Sequence, residues 1–259
     1  MISQNGSPEK VTLTATETTQ DPKSVPLPPH DTAVHPAKPG LQPKEDPQPN
    51  PSTPLYFAYG SNLSPTQMRS RCAFHPSLSA KPVAFARLDS WRWFICNRGY
   101  ANVLPPEELR IVHGGEREAV ADGSDVPQSG EEDTVYGILY EMARDDERLL
   151  DGYEGVDRES KRAWEDGKIP VSVRPREQGD GEYNKWYLEA KVTEWLDEEQ
   201  KRLRGGEKGQ VVLVYVDEKS LSVGSSKKEY VFRMDRAIRE AQELGFPKKW
   251  ADEVMRKFF

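Results

Sequence analysis

Leu55-Tyr56-Phe57-Ala58-Tyr59-Gly60-Ser61-Asn62-Leu63-Ser64-Pro65-Thr66-Gln67 runs from an apolar, aromatic stretch through one glycine into a helix start. Residues 55–59 read as a buried strand that Gly60 ends. Ser64 can cap a helix, Pro65 suits its first position and Gln67 completes the capping-box spacing, so a helix is expected to about Cys72. Backbone N–H groups at such a junction point outward unpaired and, helped by the helix dipole, form a small anion pocket. Gly60 allows close approach of the backbone, and Ser61 and Asn62 add short hydrogen-bonding side chains. A carboxylate or small phosphate suits that pocket. The same spacing also fits a plain strand-to-helix turn without a ligand.

On the N-terminal side of this stretch the composition changes. Residues 1–54 hold twelve of the 21 prolines and no aromatic residue. Such a segment has too little apolar surface to offset the entropy of ordering it, so a disordered tail is expected, removable without loss of stability. Residues 55–259 carry every Trp, Tyr and Phe, enough for one domain. The chain has 36 Lys+Arg and 43 Asp+Glu, of which the tail takes 4 and 6, leaving a domain net charge near −5. That balance gives no footprint for a phosphate backbone, so nucleic acid is not an expected partner. Two cysteines cannot build a disulfide framework, and a mean hydropathy of −0.79 argues against a membrane span. Met1-Ile2-Ser3-Gln4-Asn5 lacks the regions of a signal peptide and no Arg precedes Arg69, so the default compartment is the cytosol.

On the C-terminal side, residues 82–105 read as two strands with a turn at Asn97-Arg98, Trp91, Trp93 and Ile95 alternating with Arg92 and Phe94. Residues 107–133 are polar, Gly-rich and acidic, a surface insertion, and the charged stretch 175–209 is a second, with 194–208 partly helical. Strands are expected at 134–142, 169–173, 186–193 and 210–216, and a short helix at 145–151 closed by Gly152. Tyr230, Met234, Ile238, Ala241 and Leu244 share one helical face stopped by Gly245, and Pro247 opens a last helix with Trp250, Val254 and Phe258 inward. The expected fold is α/β of the α+β type, a small, mostly antiparallel, barrel-like sheet with a few packed helices.

Glu154 lies in Leu150-Asp151-Gly152-Tyr153-Glu154-Gly155, past a short helix and between glycines. On a tight, partly apolar turn a carboxylate can act as a general base, although a turn Glu is ordinarily a solvated surface residue. His30 and His35 fall in the tail, and His75 and His113 lack partners at ligand spacing, so no metal is expected. Cys72 and Cys96 read as buried thiols, and no Ser sits in a nucleophile elbow.

Tyr56-Phe57-Ala58-Tyr59-Gly60-Ser61-Asn62-Leu63, followed by Met68-Arg69, resembles the signature of the γ-glutamylcyclotransferase family. The Leu-Asp-x-x-Glu-Gly run at 150–155 resembles its second mark, and the stretch 230–250 with Gly245-Phe246-Pro247 resembles a third. The resemblance implies a barrel with a cavity, in which a γ-glutamyl amide is cyclised to 5-oxoproline with release of an amino acid or amine. It implies Glu154 as the base, with Tyr56, Phe57, Ala58, Tyr59, Gly60, Ser61, Asn62 and Tyr230 binding substrate, and Tyr215 as a further cavity tyrosine. Core packing is the other reading of Tyr215 and Tyr230. No cofactor, metal or nucleotide is called for. Oligomeric state is open, a homodimer being one option. Ala73 replaces a proline common among relatives, and the insertions exceed a minimal member, so the leaving group is open: a γ-glutamyl amino acid, glutathione or a glutathione conjugate, in general or secondary metabolism. The alternative is a small-ligand-binding module of the same fold without turnover.

Overall fold

β1 (Leu55–Ala58) is buried at all four positions. It pairs antiparallel with β5 (Thr134–Tyr140) on one side and parallel with β7 (Gly209–Val216) on the other. Antiparallel pairing then continues from β5 to β2 (Pro82–Asp89), to β6 (Asn184–Trp195) and back to β7. Five strands thus close a barrel in the order β1-β5-β2-β6-β7, and closure removes the open edges. The expected mostly antiparallel barrel with packed helices is the observed architecture. The computed structural model describes residues 47–111, 123–164 and 169–259, all within one compact unit, Pro36–Phe259. Residues 1–46 of the tail and 112–122 of the first insertion lie outside the described residues. No helix among the described residues is long and apolar enough to cross a membrane.

Several elements differ from expectation. The stretch 82–105 makes three strands, because Ser90 adopts φ +66° and turns the chain out of the barrel. β3 (Arg92–Ile95) and β4 (Ala101–Leu104) then form a separate hairpin. Phe94, on the face of the hairpin opposite Trp93 and Ile95, is buried with Cys96, Leu104, Val126 and Leu221 in a second small cluster. Val126 and Ser129 of the first insertion are therefore buried against this hairpin, Ser129 Oγ accepting the Trp93 N–H at 2.7 Å. Residues 169–173 form a turn instead of a strand: Pro170 has no N–H to give a ladder, and the Val173 N–H folds back to its carbonyl at 2.8 Å. β6 begins two residues earlier than expected.

Among the described residues, six α-helices dress the barrel. Ser64 caps α1 (Pro65–Arg71), its Oγ accepting the Gln67 N–H at 3.0 Å. The reciprocal half of the capping box is missing. Ser61 O already accepts the Ser64 N–H, and the Gln67 amide turns to the loop instead. α2 (Pro76–Ser79) leads back to β2. α3 (Arg144–Tyr153) runs through Gly152, where the expected helix stopped, and ends at Gly155 with φ +62°. There the Val156 N–H bonds Asp151 O at 2.9 Å, a Schellman closure that makes Glu154 the C-cap residue. α4 (Glu198–Leu203) is capped by Asp197. α5 (Lys228–Glu243) buries Tyr230, Met234, Ala237, Ile238 and Ala241, and closes at Gly245 in the same way, the Phe246 N–H reaching Ala241 O at 3.0 Å. Leu244, expected on the buried face, is 39% exposed, since it falls at the cap where the helix leaves the sheet. α6 (Lys248–Trp250) continues into one π turn, with Trp250 and Val254 buried as expected.

Residues 50–53, counted above in the tail, are bonded to the domain. Arg204, buried at the end of α4, donates to the carbonyls of Pro51 and Thr53 at 3.1 Å and of Asn50 at 3.3 Å. Asn50 N–H donates to Glu141 Oε1 at 2.7 Å. Burial holds the Arg204 guanidinium below its ordinary pKa against the pull of Glu141, so its lost acceptors matter. Deleting residues 1–46 should leave the melting temperature unchanged. Deleting 1–53 should cost about 1–3 kcal/mol by stranding a buried cation and carboxylate, and lower the melting temperature by several degrees. Equal melting temperatures for the two truncations would contradict this contact.

Candidate functional site

α3 is held so that its C-terminal end meets the loop after β1. Tyr215 Oη donates to Asp151 Oδ1 at 2.7 Å, and Lys185 Nζ bridges Asp151, at 3.0 Å, and Glu147. At the helix start, Asp146 accepts the N–H groups of Phe74 and His75, both at 2.9 Å. Pinned at both ends, α3 brings Glu154 against a loop 92 residues earlier. Asn62 Nδ2 donates to Glu154 Oε1 at 3.0 Å and Arg71 Nη1 to the same oxygen at 2.8 Å. The Glu154 and Arg71 side chains are only 16% and 12% exposed. Glu154 is therefore neither a solvated turn residue nor set among apolar groups: its carboxylate faces a guanidinium and an amide.

The loop itself is a short 3-10 turn, Ser61–Leu63, with the Leu63 N–H on Gly60 O at 2.9 Å. Trp93 Nε1 donates to Tyr59 O at 2.9 Å. A trans peptide points its C=O and N–H in opposite directions, so this bond turns the Gly60 N–H away from Trp93. Among the described residues nothing accepts the Gly60 or Asn62 N–H, while the Ser61 N–H reaches Tyr230 Oη at a long 3.3 Å. The side chains of Ser61 and Asn62 are buried and engaged: Ser61 Oγ and Asn62 Oδ1 accept from Gln67 Nε2 at 2.7 and 2.8 Å. Gly60 has a negative φ of −113°, and its requirement is steric: a Cβ would lie 2.9 Å from Tyr230 Oη.

Buried phenols surround the two halves. Tyr56 Oη accepts from Asn62 Nδ2 at 2.8 Å, Tyr59 Oη donates to Tyr215 O at 2.6 Å and Tyr183 Oη to Ala101 O at 2.7 Å. Burial pushes Tyr56, Tyr59, Tyr183 and Tyr215 well above the ordinary phenol pKa and Tyr230 up to about 12, and the nearby Glu154 carboxylate adds to the rise in each. Tyr140, stacked on Tyr56 with centroids 6.4 Å apart, is raised by burial as well. These hydroxyls stay neutral donors and acceptors at physiological pH. The folded chain holds their protons more tightly than the unfolded chain, so this stability is complete below about pH 10 and is lost as pH rises toward 12. Tyrosinate absorbance from these six buried tyrosines should therefore appear together with loss of circular dichroism on alkaline titration. Ordinary titration of all ten tyrosines with the fold intact would contradict it.

Not every expected residue comes to this place. Phe57 lies on the opposite face of β1 from Tyr56, over Gly137, where a Cβ would sit 2.6 Å from its Cζ. Ala58 is buried in the strand and brings no polar group. Tyr215 packs edge-on against Tyr56, with centroids 5.5 Å apart, and its hydroxyl is committed to Asp151, so it braces α3. Cys72 and Cys96 are free and fully buried; burial raises the Cys72 thiol away from thiolate. Arg71, Gln67, Trp93 and Tyr183 escaped the reading of the sequence. Tyr183 precedes Asn184-Lys185-Trp186-Tyr187, and starting β6 at that aromatic run instead of Trp186 was the signal that could have found it. Arg71 lies two turns beyond Ser64 on α1, and only the fold reveals its partner.

No family model and no curated protein matches the chain. Solved structures similar to it include YkqA from Bacillus subtilis, at 15% identity and TM-score 0.47 over 80% of this chain and 54% of that one. The chain thus spans about half the length of the Bacillus protein. The Homo sapiens protein loc79017 is similar at 17% identity and TM-score 0.44, over 78% of this chain and 85% of that one. A γ-glutamyl cyclotransferase specific to glutathione from yeast is similar at 12% identity and TM-score 0.38, over 78% of this chain and 96% of that one.

Proposed function

We propose that the chain is a γ-glutamylcyclotransferase, a lyase that forms 5-oxoproline from a γ-glutamyl amide. The observation that carries this reading is the meeting of Glu154 with Asn62, residues from the two sequence marks whose resemblance suggested the activity. In the reaction the substrate's α-ammonium loses a proton to the Glu154 carboxylate, and the freed amine attacks the γ-carbonyl. A new N–C bond closes the five-membered lactam. The tetrahedral oxyanion collapses, the original amide C–N bond breaks as the proton held by Glu154 passes to the leaving nitrogen, and the ring nitrogen then gives its extra proton to the freed Glu154 carboxylate, which passes it on to the released amine. One base suffices because the nucleophile is part of the substrate, and holding the glutamyl chain folded supplies much of the rate. The open N–H groups of Gly60 and Asn62 are donors of the kind that stabilise such an oxyanion. The neutral phenols around the loop leave the surroundings of the glutamyl group without added charge.

The reaction balances without an oxidant, nucleotide or second substrate. Incubation of the purified chain with γ-glutamyl dipeptides, glutathione, glutathione S-conjugates and γ-glutamyl amines should yield 5-oxoproline and an equimolar free amine, read by mass spectrometry, from at least one class. No 5-oxoproline from any of them would overturn the reading.

A further inference from the structure

We infer that Arg71 is a positioning residue that, together with Asn62, clamps Glu154 by Oε1 and so makes Oε2 the oxygen that takes the substrate's proton; this rests on the reading of Glu154 as the base.

The geometry is asymmetric. Arg71 Nη1 at 2.8 Å and Asn62 Nδ2 at 3.0 Å both donate to Oε1, and no described residue hydrogen-bonds Oε2. Two donors on one oxygen fix the rotation of a carboxylate that otherwise turns about its terminal bond. The Asn62 amide has one orientation here. Its Oδ1 accepts from Gln67 Nε2 at 2.8 Å, and its two N–H bonds serve Tyr56 Oη at 2.8 Å and Glu154. Flipping it would set N–H against N–H and oxygen against carboxylate. The Gln67 amide is oriented in turn by Ser61 Oγ at 2.7 Å and Arg236 Nη2 at 3.5 Å.

Arg71 is itself held. Its guanidinium lies 5.0 Å from the centroid of the Tyr153 ring, the residue just before Glu154. The same short peptide thus supplies both the carboxylate and the aromatic face that seats its cation. A lysine in this place keeps the charge but loses the planar stack. With both partners largely shielded, solvent does not wash out the pair as it does on an open surface. Arg71 therefore acts through Glu154 and not on the substrate.

The test compares Arg71→Met and Arg71→Lys in the wild-type and Glu154→Gln backgrounds, with melting temperature checked for each. In the wild-type background Arg71→Met should lower kcat by roughly 10²-fold, the usual effect of a misplaced catalytic group, with KM changed less than about threefold. Arg71→Lys should recover part of the loss. In the Glu154→Gln background Arg71→Met should have no further effect, since there is no base left to position. An equal fold-loss in both backgrounds, or a rise in KM with kcat intact, would overturn the inference by making Arg71 a substrate contact. A second readout needs no turnover: crystal structures of wild type and Arg71→Met. The Glu154 carboxylate should occupy one rotamer in the first and several in the second. If it keeps one identical rotamer without Arg71, the positioning role is wrong. Should wild type form no 5-oxoproline while the rotamers behave as expected, the proposed activity fails and the clamp stands.

Discussion

Glu154→Gln is expected to lower 5-oxoproline formation by roughly two to four orders of magnitude, the usual contribution of one general base. The substitution is close to isosteric. The amide oxygen can stay where Oε1 is, accepting from Arg71 and Asn62, while the NH2 group replaces the oxygen that no residue bonds. What is lost is the capacity to accept a proton. Substrate affinity should change little if, as proposed, the loop and not the carboxylate supplies most of the grip. The fold should hold, since α3 is pinned through Asp151 and Asp146 and not through Glu154. Initial rates and KM on the best γ-glutamyl compound measure this. Retention of more than about a tenth of wild-type kcat would remove Glu154 from the base role.

Gly60→Val should be nearly as severe for a different reason. A Cβ at this position would lie 2.9 Å from Tyr230 Oη and 3.3 Å from Ala101 Cβ, and the γ-methyls need more room still. Either Tyr230 is displaced from the Ser61 N–H or the loop shifts. A displacement of about 1 Å at the reacting groups costs on the order of 10²-fold in turnover. Overpacking should also cost about 1–3 kcal/mol of stability, leaving a folded protein. Gly60→Ala isolates the cause. If the Tyr230 hydroxyl is the obstacle, adding Tyr230→Phe to Gly60→Ala should restore stability lost by the alanine variant alone. Full activity in Gly60→Val would take the loop out of the site.

The parts of the fold legible in the sequence are those with local chemistry. The 55–67 stretch shows its strand, glycine and Ser64 cap without reference to the rest of the chain, and the face of α5 repeats at helical spacing. What stayed hidden depends on neighbours distant in sequence. Nothing in Ser90 itself announces the positive φ that separates β2 from β3, and the partners that bury Phe94, Val126 and Leu221, lie far along the chain. Pro170 was the warning that 169–173 would not pair, and it was outweighed by the apolar residues around it. Gly152 looked like a stop because glycine so often ends a helix, but Gly155 holds the positive φ that a C-cap requires. In the candidate site, Glu154 and residues 56–62 were visible as motifs, whereas Arg71 acts through a partner 83 residues away that only tertiary structure supplies, and Gln67 was read as a capping residue although its amide turns to the nearby Ser61 and Asn62 side chains. The tail boundary misled for a related reason. Residues 50–53 bind through backbone groups, which composition does not show.

The most direct test of the account is the crystal structure of the Glu154→Gln variant soaked with the γ-glutamyl compound that wild type turns over fastest. The account predicts the glutamyl group beside the 59–62 loop, its γ-carbonyl oxygen within hydrogen-bond distance of the Gly60 or Asn62 N–H, and its α-amine against the side chain at 154. A ligand bound elsewhere, or one in the loop whose α-amine points away from residue 154, would contradict it.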